Sequence, residues 1–176
     1  MACAGNAGLT VMAYVDINIH GYMSRAEPVS FQTTLRVRDR CLCLHVQRAA
    51  RALARRFDQA LQPHGLTSGQ FSLMMSLNRP KAPGLGSVAE LLAMDRTTLT
   101  AALKPLQRRG LVTVEVDPDD RRGRLLRLTG KGKNLLAKAA PVWEQTHTEM
   151  EAMLEEGEPD RLRRTLILLE PGRQSK

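Results

Sequence analysis

Four arginines, Arg121, Arg122, Arg124 and Arg127, fall within seven residues, directly after the turn-forming run Asp117-Pro118-Asp119-Asp120. A guanidinium is permanently charged and presents five donors in a planar fork, so such a cluster is suited to gripping phosphate rather than to moving protons. A second set lies upstream: Thr97, Thr98, Thr100 and Lys104 follow Asp95. Threonine can donate to phosphate oxygens or touch a thymine methyl, and lysine can reach phosphate or guanine. Other constellations are weaker. Cys41-x-Cys43-x-His45 has ligand-type residues, but on a helix Cys41 and His45 share a face while Cys43 points elsewhere. With no second ligand pair, no metal is expected. Gly130-Lys131-Gly132-Lys133 lacks the spacing of a phosphate-binding loop, and Lys131 with Lys133 better suits DNA backbone or solvent. No nucleophile elbow or His-rich motif occurs, so neither an enzyme nor a cofactor is expected.

Composition narrows the partner. The 176 residues carry a net charge of +8 with a pI near 10.0, a balance that favours a polyanion. Aromatic residues make up only 3% of the chain, too few for a single-strand binder that stacks bases on rings. Double-stranded DNA is the remaining nucleic-acid class. Three cysteines in so poor a set build no disulfide framework, and a reducing cytoplasm is the expected location. No apolar run could span a bilayer, and Leu9–Ile19, interrupted by Asp16, lacks the basic flank of a signal peptide.

The elements that must position these groups can be read from periodicity. Residues 1–30 show no sustained period and read as a disordered tail, with Met23 an alternative start. Leu42, Val46, Ala49, Leu53, Phe57 and Leu61 recur at helical steps, predicting one long helix over about 33–62 within a first dimerisation region, 31–66. Thr67-Ser68-Gly69-Gln70 has capping-box form ahead of the apolar run Phe71–Leu77. Asn78–Gly86 reads as a loop, and Ser87-Val88-Ala89-Glu90 as a second capping box opening a helix to about Met94. Asp95 is the expected N-cap of a helix reaching Arg109, with Gly110 as its stop and Pro105 kinking or tightening it. Val112–Val116 and Leu125–Leu128 alternate apolar and polar residues around an Asp/Pro/Gly turn, which makes a β-hairpin. Residues 67–128 therefore read as a winged helix-turn-helix. Over 129–176, Thr129 caps a second long helix with Leu135, Leu136, Ala139, Val142, Trp143, Met150 and Met153 as its stripe. Gly157-Glu158-Pro159 breaks it, and a last helix covers Asp160–Glu170. The fold class is mostly α with a small β-hairpin wing, flanked by long helices. Stripes so long exceed what the chain itself can bury, and a homodimer supplies the missing surface.

In these features the chain resembles the MarR family of bacterial transcriptional regulators over about residues 33–170. The resemblance is carried by Asp120-x-Arg122-Gly123 with Leu128-Thr129-x-x-Gly132, by Ala49-Ala50-Arg51, by Gly65-Leu66-Thr67-x-x-Gln70-Phe71, and by Leu106-x-x-Arg109-Gly110-Leu111-Val112. It implies a dimeric repressor on a near-palindromic operator. Arg122 then matches the family arginine that enters the minor groove and Asp120 the acidic residue that orients it, while Arg121 and Arg124 meet phosphates. Ala101 and Ala102 stand where many relatives have larger polar residues. Many relatives release DNA when a small phenolic or anionic effector binds between the DNA-binding and dimerisation parts. Here such a cavity would lie among the first long helix, the Phe71–Leu77 helix and the Trp143 helix. A thiol-sensing branch of the family has its reactive cysteine eight residues before the arginine that matches Arg51, the place of Cys43. That branch has tyrosines where this chain has Gln47 and Phe71, so small-molecule release is the expected switch, with redox sensing at Cys43 the alternative. A winged-helix module that docks a protein instead of DNA is the other alternative.

Overall fold

The structure, a computed structural model, describes residues 28–170; of the tail expected at 1–30, residues 1–27, with Cys3 and Met23, lie outside them, and Ser30 is the N-cap of the first helix. The chain divides into two units at Leu42 and Cys43. The first contains α1 (Phe31–Arg40), whose N-cap Ser30 accepts a hydrogen bond from Thr33 N and which buries none of its residues. The single helix expected over 33–62 is in fact two. Cys41 closes α1 through its N–H on Val37 O but has extended backbone (φ −76°, ψ 105°), so the ladder stops and α2 (Leu42–Leu61) starts afresh. Cys41 lies in neither helix, and the helical face expected for Cys41 and His45 does not apply.

In the second unit, α2 runs into a 3₁₀ turn (Gln62–His64) closed by Gly65 at φ 64°, then α3 (Ser68–Ser76), α4 (Leu85–Leu91), α5 (Arg96–Arg108), β1 (Val112–Val116), β2 (Arg124–Leu128), α6 (Gly130–Glu151) and α7 (Glu158–Leu168). The start of α3 is fixed by a complete capping box between Thr67 and Gln70 and by Asp58 Oδ1, which accepts from Ser68 N at 2.6 Å. The second capping box does not form. α4 begins three residues earlier than expected, capped by Gly84 in place of Ser87, and the Ser87 hydroxyl donates to Gly84 O at 2.9 Å. Gly84 pairs with Leu125 and Leu126 N donates to Pro83 O, so a tertiary contact with β2 sets that helix start.

α4 and α5 both end in Schellman turns. Met94 N returns to Ala89 O and Ala93 N to Glu90 O; Leu111 N returns to Leu106 O and Gly110 N to Gln107 O. Gly110 supplies the left-handed residue at φ 67°, whereas α4 uses Ala93 at φ 50°. α5 continues through Pro105 to Arg108. β1 and β2 are antiparallel, with Val112 opposite Leu128 and Val116 opposite Arg124. The core gathers Leu61, Leu73, Met74, Val88, Leu99, Leu103, Leu106, Leu111 and Leu126, all at most 2% exposed. Each such buried leucine contributes about 1.5–3 kcal/mol relative to exposure.

The Thr129 hydroxyl accepts from Gly132 N and donates to Gly110 O, joining the first turn of α6 to the end of α5. A Cβ on Gly132 would lie 2.1 Å from Leu111 O, so only glycine lets α6 approach β1 this closely. Phe57, Phe71 and His147 stack on Trp143 at centroid distances of 6.4, 5.9 and 4.8 Å, tying α2, α3 and α6 together. α7 starts at Glu158, earlier than expected, because Pro159 falls in the first turn, where its missing N–H has no helical partner to lose. No helix among the described residues is long and apolar enough to cross a membrane.

Candidate nucleic-acid interface

α5 buries Leu99, Leu103 and Leu106 and turns Thr97, Thr98, Thr100, Ala101 and Lys104 outward. Its first turn is held by Asp95, which accepts from Thr98 N at 2.8 Å and from the Thr98 hydroxyl at 2.6 Å. These bonds, the hydroxyl's first, hold the Asp95 carboxyl below the ordinary aspartate range. The Thr100 hydroxyl donates to Arg96 O at 2.7 Å. Thr98 and Thr100 have thus committed their hydroxyl protons within the helix and can offer a partner only lone pairs and methyl groups, leaving Thr97 as the free hydroxyl donor of the set. The helix N-terminus adds a partial positive charge beside it. Arg96, not singled out from the sequence, opens this face, its guanidinium 3.3 Å from where a Cβ on Gly86 would lie. The available signal was its position directly after the capping aspartate.

The wing tip is built by its own backbone. Asp120 Oδ1 accepts from Arg122 N at 2.9 Å, Gly123 N donates to Asp120 O at 2.7 Å, and Asp117 Oδ1 accepts from Asp119 N at 3.0 Å. Asp120 therefore fixes the main chain of Arg122 and leaves the guanidinium unengaged. A Cβ on Gly123 would meet Asp117 Cβ at 3.0 Å and Asp120 O at 3.1 Å, which explains the glycine in this turn.

The four arginines divide by task. Arg124 donates to Gly123 O at 2.8 Å and Arg121 O at 3.2 Å, bracing the loop. Arg127 pairs across the hairpin with Glu115 at 3.2 Å, and Glu115 also accepts from Thr113. Arg121 and Arg122 are both exposed at the tip, with no side-chain partner among the described residues. Lys131, read from the sequence as suited to DNA backbone or solvent, donates to Arg109 O at 2.9 Å. Arg109 in turn donates to Gly65 O at 2.7 Å.

Two features bear on control. A cleft of about 430 Å³ opens between α3, α4 and α6, lined by Phe71, Met75, Leu91, Leu92 and Trp143, with Arg79 at its edge. Its walls differ from the expected set: residues of α4, and none of the first long helix, line it. Cys43 is exposed, and Gln47 Nε2 lies 3.1 Å from its sulfur.

A model of the MarR family matches residues 66–123, the stretch from the start of α3's cap to the wing tip. The transcriptional regulator HosA of Escherichia coli O111:H- is 35% identical over 86 residues, covering 48% of this chain and 62% of that protein. The chain thus spans less than two thirds of that curated relative. Among solved structures, the M. tuberculosis transcriptional regulator MosR in complex with DNA is 36% identical, covers 73% of this chain and 92% of its own, and superposes with a TM-score of 0.67. The transcriptional repressor CouR, bound to a 23-mer DNA duplex, is 28% identical, covers 76% and 94%, and gives a TM-score of 0.68.

Proposed function

Because the chain belongs to the MarR family of transcriptional regulators, we propose that it is a homodimeric repressor of near-palindromic double-stranded DNA, released by a small phenolic or anionic effector. The observation that carries this reading is the exposed α5 face standing in one module with a wing whose two free guanidiniums project from a backbone-locked tip. α5 is suited to the major groove, with Thr97, Lys104 and Arg96 as donors and the Thr98 and Thr100 methyls as apolar contacts. Arg122 suits the narrow minor groove, where negative potential is concentrated. Arg121 suits phosphate, and Arg124 supports the tip that presents both.

The dimer is supported by apolar side chains that the protomer leaves in water: Leu42 at 70%, Leu53 at 41% and Leu168 at 65% exposure. For the effector, the cleft beside Trp143 has the size and the apolar, aromatic lining of a small-molecule site, and Arg79 offers a charge for an anion. Binding there would weaken DNA affinity only as far as the effector prefers a dimer whose α5 helices no longer fit the groove. A thiol switch at Cys43 is the second reading, favoured by the exposure of its sulfur.

The test is a gel-shift titration of the DNA upstream of the chain's own gene at two salt concentrations, with parent protein and Arg121→Ala/Arg122→Ala. Binding that weakens steeply with salt, and less steeply in the variant, is expected. Equal affinity of the two proteins at both salts would remove the wing from the mechanism.

A further inference from the structure

A second cleft, of about 600 Å³, lies between the C-terminal end of α5 and the first turns of α6. It runs along α6 below the end of α5. Its apolar floor is the half-buried Leu135, set over the buried Leu111. Arg109, Lys131 and Lys138 form its rim with Asn134, and no carboxylate lines it. On α6, Lys131, Asn134, Leu135 and Lys138 follow the three- and four-residue steps of one helix face, so the cations and the apolar floor are displayed together. Three cations around a leucine floor without an acid carry strong unbalanced charge beside apolar surface.

That combination selects for chemistry. A bare phosphate would leave Leu135 uncovered, and a neutral aromatic would leave three cations unanswered. DNA backbone is a poor fit to an apolar floor, and the cleft abuts the C-terminal end of α5, about 20 Å along the helix from Thr97. We infer that this cleft binds an organic phosphate ester, its dianionic head held by Arg109, Lys131 and Lys138 and its apolar body laid on Leu135. Lysine ammoniums and the arginine fork are the side chains that hold phosphate most strongly.

The site is also wired to α5. Lys131 Nζ donates to Arg109 O at 2.9 Å, and Arg109 is the C-cap of α5. A phosphate that draws the ammonium away removes a donor from the carbonyl end of that helix, so occupancy would loosen the α5 C-terminus. This consequence rests on the proposed DNA-binding role of α5; the binding itself does not.

The experiment is calorimetric titration of the full chain, at fixed salt and without DNA, with 2-naphthyl phosphate, 2-naphthol and inorganic phosphate as separate probes. 2-Naphthyl phosphate is expected to bind at least about tenfold more tightly than inorganic phosphate. Lys131→Gln/Lys138→Gln should lose about tenfold or more in that affinity, whereas 2-naphthol, which the cleft beside Trp143 can take, should bind the double variant and the parent alike. Equally tight binding of inorganic phosphate, no binding of 2-naphthyl phosphate, or an unchanged affinity in the double variant would each overturn the assignment. A parent chain that binds the probe yet shifts no DNA would refute the proposed function and leave this site standing.

Discussion

Arg122 is the residue whose role separates groove reading from general attraction. Asp120 holds its backbone N–H while its guanidinium stays unengaged, an arrangement that aims the side chain without neutralising it. Arg122→Ala is expected to weaken operator binding by about 1–3 kcal/mol, measured by fluorescence anisotropy on the operator duplex. Lys104→Ala should lower affinity evenly across sequences and reduce the salt slope by about one, as a phosphate contact does. A loss confined to one base position would instead make Lys104 a base reader. At this scale the sequence was legible where charge type decides the task and illegible where a partner does. The arginine cluster announced itself, but only the coordinates divide it into bracing Arg124, paired Arg127 and free Arg121 and Arg122. The hydroxyls of Thr98 and Thr100 likewise looked available until the cap of Asp95 and the carbonyl of Arg96 claimed their protons. For the thiol, Cys43→Ser should leave DNA release unchanged in dilute hydroperoxide. Prompt release by the parent that the variant lacks would make Cys43 the sensor.

The elements succeed or fail by their ends. Asp95 caps α5, and its carboxyl sits below the ordinary range because Thr98 bonds to the charged form. A carboxyl lowered on folding stabilises the fold fully above its unfolded pKa and loses that contribution as pH falls through its folded pKa. Urea midpoints should therefore drop for Asp95→Ala near neutral pH, and the difference from the parent should shrink on acidification below the usual carboxylate range. A difference that stays constant on acidification below that range would remove the charge from the cap's role. The turn between α4 and α5 places Ala93 in a left-handed conformation that costs a β-carbon about 1–2 kcal/mol. Ala93→Gly should leave stability unchanged or raise it by up to about 1 kcal/mol, whereas Gly110→Ala at the equivalent turn of α5 should lower it by about 1 kcal/mol. Denaturant midpoints of the two variants moving in the same direction would contradict this. Strong local caps such as Thr67, Asp95 and Thr129 made their helices readable, along with the alternating strands of the wing. The start of α4 was not readable, because Gly84 is positioned by pairing with Leu125, forty-one residues on, and no local pattern records such a contact. The break at Cys41 falls just before the apolar period that begins at Leu42, and no glycine or proline marks it.

At the scale of the molecule, the fold leaves apolar side chains of α2 and α7 in water, and we propose that a second copy covers them. Light scattering at micromolar concentration should return twice the chain mass, and Leu53→Asp/Leu166→Asp should return the chain mass, since each buried carboxylate would lack a partner. A parent monomer would remove the two-fold premise. Neither face was hidden in the sequence, since stripes longer than one protomer can bury are visible as periodicity; which surface covers them is a property of the assembly. The central claim is that two copies present α5 and the wing together to one duplex. The most direct test is a hydroxyl-radical footprint on the DNA upstream of the chain's own gene, comparing the parent with Arg122→Ala. The account predicts two protected major-groove half-sites centred about 10–10.5 base pairs, or a multiple, apart, each flanked by a minor-groove patch that fades in the variant. A single protected half-site, or flanking patches that persist unchanged without Arg122, would contradict it.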